Sequence, residues 1–340
     1  MIPTVPGLVL GIESSCDETC AAVLRGQTVL SSVVATQIEM HQKWGGVVPE
    51  AAARAHLESL LPVVEEAVRE AGVTLGDLSG IAVTNRPGLV GALSVGVTAA
   101  KGLAMVLGVP FVGVHHLEGH LLSPFLLALG TEDSAPVAWP MISLIASGGH
   151  TELVLMQSPG VYEIVAETLD DAAGEAFDKG ARLLGLGYPG GRAIQELAVS
   201  GDPKAYPLPR SVAQDPTHFS FSGLKTAVLR RVEKDPDLNP ADLAASLQAA
   251  VVDSLTSKTV EAAEAHGARS MGLVGGVAAN SALRSRMQVE ADRLGVPLFV
   301  PETRFCTDNA AMIALAGSFR LSQGQFDDFG LDVFPNSPLP

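Results

Sequence analysis

Short apolar runs alternate along the chain with longer stretches of helical periodicity, and glycine, proline or asparagine marks most of the joints. Leu8–Ile12, Ile81–Thr84, Phe111–Val114, Met141–Ile145, Glu152–Met156, Met271–Val274 and Leu298–Val300 are predicted strands. Helices are predicted over Pro49–Ala71, Ala92–Leu107, from Asn239-Pro240 to Gly267, from Ser281 onward and over Asn309–Leu321. Strands alternating with helices predict an α/β fold. One pattern occurs twice: an apolar strand running into a hydroxyl- or glycine-rich turn. Leu8–Ile12 ends in Glu13-Ser14-Ser15, and Met141–Ile145 ends in Ala146-Ser147-Gly148-Gly149-His150-Thr151. The repetition predicts two related lobes, with their boundary in the polar stretch Thr131–Pro136. The expected division is residues 1–135, rejoined by the helix 309–322, and residues 136–308.

Composition narrows the class. At 340 residues, 47% apolar and 17% charged, the chain can bury a large core, and extended disorder is excluded. The longest apolar stretch, Gly102–Val114, contains Gly108 and Pro110 and is expected to fall short of the ~20 residues of a membrane span. No basic lead-in precedes Glu13, so a secretory signal is not expected. Three cysteines, Cys16, Cys20 and Cys306, exclude a disulfide framework and suit a reducing cytoplasm. The net charge of −15 argues against strong intrinsic nucleic-acid binding. Against that background Lys204, Arg210, Lys225, Arg230, Arg231 and Lys234 form one basic stretch, either a solvated face or a contact for phosphates.

Three turns follow buried strands: Gly11–Thr19, Ser147–Thr151 and Gly275–Asn280. Such turns expose backbone N–H groups and let a phosphate approach closely. Together they resemble the phosphate and adenosine loops of the actin/Hsp70/sugar-kinase superfamily, which implies two lobes with an interlobe cleft. The first turn carries Asp17 and Glu18. In His115-His116-Leu117-Glu118-Gly119-His120, helical spacing puts His116 and His120 on one face, where two imidazoles can share a metal. Asp308, in Cys306-Thr307-Asp308-Asn309, is the candidate third ligand, while Cys306 is expected to be a small buried residue. Glu118 stands one position too late for the general base of a His-Glu-x-x-His protease, and no G-x-S-x-G elbow accompanies it. Further on, a helix through Asp170–Lys179 would put Gly174 and Asp178 on one face, just before the tight turn Gly185–Gly191. A carboxylate beside such a turn can hold ribose or amino-acid hydroxyls.

Six motifs in order, Gly11–Thr19, His115–His120, Ser147–Thr151, Asp170–Lys179, Phe219–Thr226 and Cys306–Asn309, resemble those of the bacterial tRNA N6-adenosine threonylcarbamoyltransferase family over about residues 8–335. The resemblance implies that His116, His120 and Asp308 hold one transition-metal ion, iron or zinc. It implies that Ile145, Ala146, Ser147, Gly148, Gly149, Asp178, Gly191 and Asn280 bind threonylcarbamoyl-AMP. The implied reaction moves the threonylcarbamoyl group to N6 of adenosine 37 in tRNAs reading codons that begin with A. Asp17 and Glu18 are candidates for positioning or proton removal. The implied partners are tRNA, a homologous degenerate subunit and a small ATPase, with no membrane. The sequence departs from the family at Arg86, where glycine commonly precedes Pro-Gly. The rival readings are a small-molecule kinase of the same fold, which needs no His-x-x-x-His pair, and a degenerate partner subunit, which would be expected to have lost it.

Overall fold

A computed structural model describes residues 2–44, 46–131, 136–210 and 218–339. The chain divides into two units: Met1–Val137 together with Thr307–Pro340, and Ala138–Cys306.

In the first unit the order is β1 (Leu8–Glu13), β2 (Glu18–Arg25), β3 (Thr28–Thr36), α1 (Ile38–Gln42), α2 (Pro49–Glu70), β4 (Leu78–Arg86), α3 (Val90–Leu107), β5 (Phe111–His115) and α4 (His116–Leu122). The second unit holds β6 (Met141–Ala146), β7 (Thr151–Ser158), β8 (Val161–Thr168), α5 (Ala173–Leu183), α6 (Gly190–Ala198), β9 (His218–Phe219), α7 (Ser222–Lys234), α8 (Pro240–Ala265), β10 (Ser270–Val274), α9 (Ser281–Leu294) and β11 (Leu298–Phe299). The chain then returns to the first unit with α10 (Ala310–Ser322).

The two sheets repeat one topology. The first has the order β3-β2-β1-β4-β5, antiparallel between β1, β2 and β3 and parallel from β1 through β4 to β5. The second runs β11-β10-β6-β7-β8-β9, with β6, β7 and β8 antiparallel and β6, β10 and β11 parallel; β9 adds an edge strand. The repeated opening in the sequence is therefore the first hairpin of each sheet.

Every residue of β1 is buried because both faces of its sheet are covered. Leu10 and Ile12 pack with Leu60, Val64, Val97 and Ala100 of α2 and α3. On the opposite face a side chain at Gly11 would lie 2.1 Å from the Ala310 carbonyl, so a bare backbone is what lets α10 lie flat on the strand. Helix ends follow their caps. The Asn239, Asn280 and Asn309 side chains accept from the first turns of α8, α9 and α10, and left-handed Gly108 and Gly295 close α3 and α9. In the second unit Leu144, Leu153 and Leu155 of the sheet join Phe177, Leu247, Val251 and Leu283 in one core.

Helix α3 departs from the expectation based on Gly102–Val114. It has 18 residues and a mean hydropathy of 1.7, the only described helix long and apolar enough to cross a membrane. Its Leu93, Val97, Ala100 and Ala104 face the core, whereas Met105 and Val106 are exposed. Residues after α10 strap the same unit: Asp327 N–H bonds Phe111 O, its carboxylate accepts from Gly113 N–H, Lys101 Nζ bonds Leu331 O, Phe334 N–H bonds Asn85 O, and Gly88 N–H bonds Pro335 O.

Candidate active site

The first unit gathers side chains. His115 ends β5, and its Nδ1 accepts from Leu117 N–H, which caps α4 and turns the next two histidines inward. Gly119, between them, is where α4 meets Ile313 and Met312 of α10. His116 Nε2 and His120 Nε2 both face Asp308 Oδ1, at 3.4 and 3.1 Å. The two rings stand edge to face with centroids 4.8 Å apart. One ligand atom from each residue lies within 4.8 Å of the others, a group that could hold a metal ion. The donor set fits one: two imidazoles and a carboxylate suit zinc or ferrous iron and leave coordination positions open.

The charges are tightly coupled. Burial works against the His116 imidazolium, but the carboxylates of Asp308 and Glu13 outweigh it and hold the pKa well above the usual histidine value. Burial likewise opposes the Asp308 carboxylate, and the two histidines overcome it, holding that pKa well below the ordinary range. His120 goes the other way, pushed down by burial and by its cationic neighbour.

Sequence reasoning did not single out Glu13, Ser15 or His56. Glu13 Oε2 lies 2.9 Å from His116 Nδ1, and Ser15 Oγ lies 3.3 Å from the same nitrogen. The only available signal was an acid ending a wholly apolar strand. His56 of α2 reaches the first turn from behind, with Nδ1 2.8 Å from Thr19 Oγ1 and Nε2 3.1 Å from Cys16 O. That turn carries Asp17, which is buried, and Glu18, which opens β2. Burial and the Asp17 carboxylate push the Glu18 carboxyl up to about 9.

Two sequence readings are settled by neighbouring side chains. Glu118 is buried, and its Oε2 accepts from Arg320 Nε at 2.8 Å and from its terminal nitrogen at 2.7 Å, so it is an ion-pair partner rather than a base. Cys306 belongs to the second unit, where its Sγ lies 2.9 Å from an Arg284 nitrogen, and it is not a member of the histidine pair's ligand group. Arg86 ends β4 opposite His115, where the register shifts.

The second unit gathers backbone instead. After Ile145 and Ala146 end β6, Ser147 N–H bonds His150 O and His150 N–H bonds Ser147 Oγ, closing a turn whose tip, Gly148 and Gly149, is exposed. Among the described residues, nothing beyond the adjoining backbone comes within 4 Å of a Cβ built at Gly148, Gly149 or Gly191. Two neighbouring glycines that the sequence reading named or passed through, but did not assign to the adenylate, are the ones a side chain would wreck. One at Gly174 would sit 2.6 Å from Ser147 O, and one at Gly190 2.6 Å from Asp178 Cα. Gly190 N–H also donates to Asp178 Oδ1 at 2.7 Å, tying α5 to the start of α6. Burial raises the Asp178 carboxyl despite that bond. Asn280 caps α9 and donates to Gln248 Oε1 at 2.8 Å. Gly275 packs on Ala146, which seats the Asn280 turn beside the β6 turn. The basic stretch is divided: Arg210 pairs with Asp253 and Arg231 lies over the Tyr206 ring, while Lys225, Arg230 and Lys234 are exposed on α7.

Solved structures place the fold. HypF from T. kodakarensis matches with a TM-score of 0.63 at 14% identity, over 94% of this chain and 48% of that one. The activator of the 2-hydroxyisocaproyl-CoA dehydratase from Clostridium difficile matches with a TM-score of 0.53 at 13% identity, over 93% and 96%. Identities this low speak to the fold alone, which is the two-lobed actin and sugar-kinase type. Sequence relatives are much nearer. A protein of Symbiobacterium thermophilum named tRNA N6-adenosine threonylcarbamoyltransferase is 53% identical over 337 residues, 98% of this chain and 97% of that protein. One of the same name from Geobacter sp. M21 is 55% identical over 98% and 96%. The sequence model of TsaD, tRNA N6-adenosine threonylcarbamoyltransferase, matches residues 28–315. With a family model matching residues 28–315 and identity above one half along nearly the whole length, beside a His-His-Asp group that could hold a metal ion, the chain belongs to the tRNA N6-adenosine threonylcarbamoyltransferase family.

Proposed function

We propose that the protein transfers the threonylcarbamoyl group of threonylcarbamoyl-AMP to N6 of adenosine 37 in tRNAs that read codons beginning with A. The observation that carries this is the meeting of His116 and His120 on Asp308 in a chain so similar to named transferases. An adenine amine is a poor nucleophile, because its lone pair is delocalised into the ring. The acyl group must therefore arrive on a good leaving group, and AMP in a mixed anhydride is one. The target base lies in a single-stranded loop and is reached at little unstacking cost.

His116, His120 and Asp308 would hold one iron or zinc ion, whose chemistry when bound is Lewis acidity toward a substrate oxygen. The open space at Gly148, Gly149 and Gly191 supports binding of the adenylate there, with Ile145, Ala146 and Ser147 supplying backbone and Asp178 and Asn280 side-chain contacts. The first turn divides its labour. Glu18, kept protonated by its surroundings, donates a hydrogen bond, and Asp17 is the candidate to take the amine proton.

The partners follow the same reading. Exposed Leu57 and Leu61 of α2 and Met105 and Val106 of α3 support docking of a homologous, degenerate subunit on that face. Exposed Lys225, Arg230 and Lys234 support a share in holding tRNA. The small ATPase rests on the family resemblance alone. Three free thiols support a cytoplasmic location. The test is reconstitution with threonylcarbamoyl-AMP, tRNA and the partner subunits, followed by nucleoside analysis. Modified adenosine that depends on this chain is the expected result; its absence in a complete, metal-loaded mixture overturns the proposal.

A further inference from the structure

The two histidines differ in what stands behind them. Among the described residues the buried His120 Nδ1 has no hydrogen-bond partner, so only Asp308, on the Nε2 side, bears on its tautomer. His116 Nδ1 faces a carboxylate, and that carboxylate is itself held. Glu13 is 1% exposed, at the end of a strand buried throughout its length. Its Oε1 accepts from Ser15 N–H at 2.5 Å, while Oε2 accepts from the Thr84 hydroxyl of β4 at 2.6 Å and lies 2.9 Å from His116 Nδ1. Two adjacent strands thus fix the acid before the imidazole meets it.

We propose that Glu13 is a positioning residue: it keeps a proton of His116 on Nδ1 and so leaves Nε2, the atom beside Asp308, as the nitrogen whose lone pair a bound metal ion would take, the stronger of the two imidazole ligands. The inference rests on reading His116, His120 and Asp308 as a metal-holding group. With a proton on Nδ1, the only free lone pair of the neutral ring is on Nε2, the atom 3.4 Å from Asp308 Oδ1. A carboxylate accepting that N–H also makes the opposite nitrogen more basic. There is a charge argument as well. Asp308 and Glu13 together bring two negative charges to two neutral imidazoles, which balances a divalent cation inside a buried site. The unsupported His120 is then the weaker ligand.

Glu13→Gln separates these effects. The amide oxygen can still accept from Ser15 or Thr84, but the charge is gone. An amide N–H turned toward His116 would also select the opposite tautomer and place a proton on Nε2. The measurements are zinc affinity by chelator competition and the visible absorption of the cobalt(II)-loaded protein, which reports the ligand field directly. Zinc affinity should fall ~10–100-fold, with a shifted cobalt spectrum and an unchanged melting temperature of the metal-free protein. Thr84→Val, which removes one restraint on Glu13 and leaves its charge, should lower affinity by a smaller factor, and it decides the matter if Glu13→Gln does not fold. Wild-type affinity and an unshifted spectrum in the variants overturn the role of Glu13 and leave the metal-holding group standing. A wild-type chain that takes up neither zinc nor cobalt overturns both.

Discussion

The two units use the same sheet differently. In the first, side chains are held by one another: Glu13 on His116, and both histidines on Asp308. In the second, the same structural position after the first strand carries an exposed glycine tip, with crowding displaced to other glycines of the same unit. A duplicated scaffold thus offers a charged, closed group in one copy and a bare backbone surface in the other. Only the first kind depends on residue chemistry; the second depends on what is missing.

The largest effect should come from breaking the side-chain group. His116→Ala with His120→Ala should remove bound metal and lower transfer on the order of 1,000-fold, since Lewis-acid stabilisation amounts to several kcal/mol. Metal content and nucleoside analysis check it; stoichiometric metal in the double variant would sink the assignment. Next, the backbone site can be broken in two distinguishable ways. Gly149→Val and Gly191→Val should fold normally and bind the adenylate ~10-fold or more weakly, because the added atoms enter space free of protein. Gly174→Ala and Gly190→Ala should instead cost stability, about 1–3 kcal/mol, because the added atom meets backbone. Melting curves beside adenylate titrations separate the pairs, and the scheme fails if both pairs behave alike.

A pH effect can be isolated in the second unit. Glu152 of β7 is paired in register with Glu167 of β8, and among the described residues one of its buried oxygens has no hydrogen-bond partner. Burial, then the Glu167 charge, raises its carboxyl from 4.5 to about 7. A raised acid binds protons more tightly folded than unfolded. Its cost is therefore absent below about pH 4.5, grows between pH 4.5 and 7, and is complete above. Glu152→Gln should stabilise the protein by up to about 2 kcal/mol at pH 8 and hardly at all at pH 4.5, as read from melting at the two pH values. The smallest effect concerns α7. Neutralising Lys225, Arg230 and Lys234 should reduce the salt slope of tRNA binding by about one for each phosphate that the helix ceases to neutralise, with adenylate affinity unchanged. Identical slopes would exclude the helix as a tRNA surface.

Much of this was legible from one sequence, for physical reasons. Asn239-Pro240, Asn280-Ser281 and Asn309 announce helix starts because an Asn side chain is a local answer to orphaned N–H groups. His116 and His120 are readable because helical spacing fixes their common face. Strands β2 and β3 were not predicted: their runs mix alanine, serine and threonine, and only the sheet makes them strands. Glu13 was silent because its partner lies 103 residues away. Gly149 and Gly191, not Gly174 and Gly190, were assigned to the ligand because a sequence shows where backbone is bare, but not which bare backbone touches another segment of the chain.

The strap that follows α10 has a consequence for how the molecule is made. The second unit, residues 138–306, is one continuous piece and can close its core as it leaves the ribosome. The first cannot. Asp308 arrives 188 residues after His120, α10 covers a sheet whose first strand was synthesised near the start, and Ser337 O reaches the Nε2 of His115, the residue that caps the histidine helix. The earliest-made half of the protein is therefore the last to be completed. The histidine pair can meet its carboxylate only after the whole second unit has been made, so no finished ligand group exists while that unit is being synthesised.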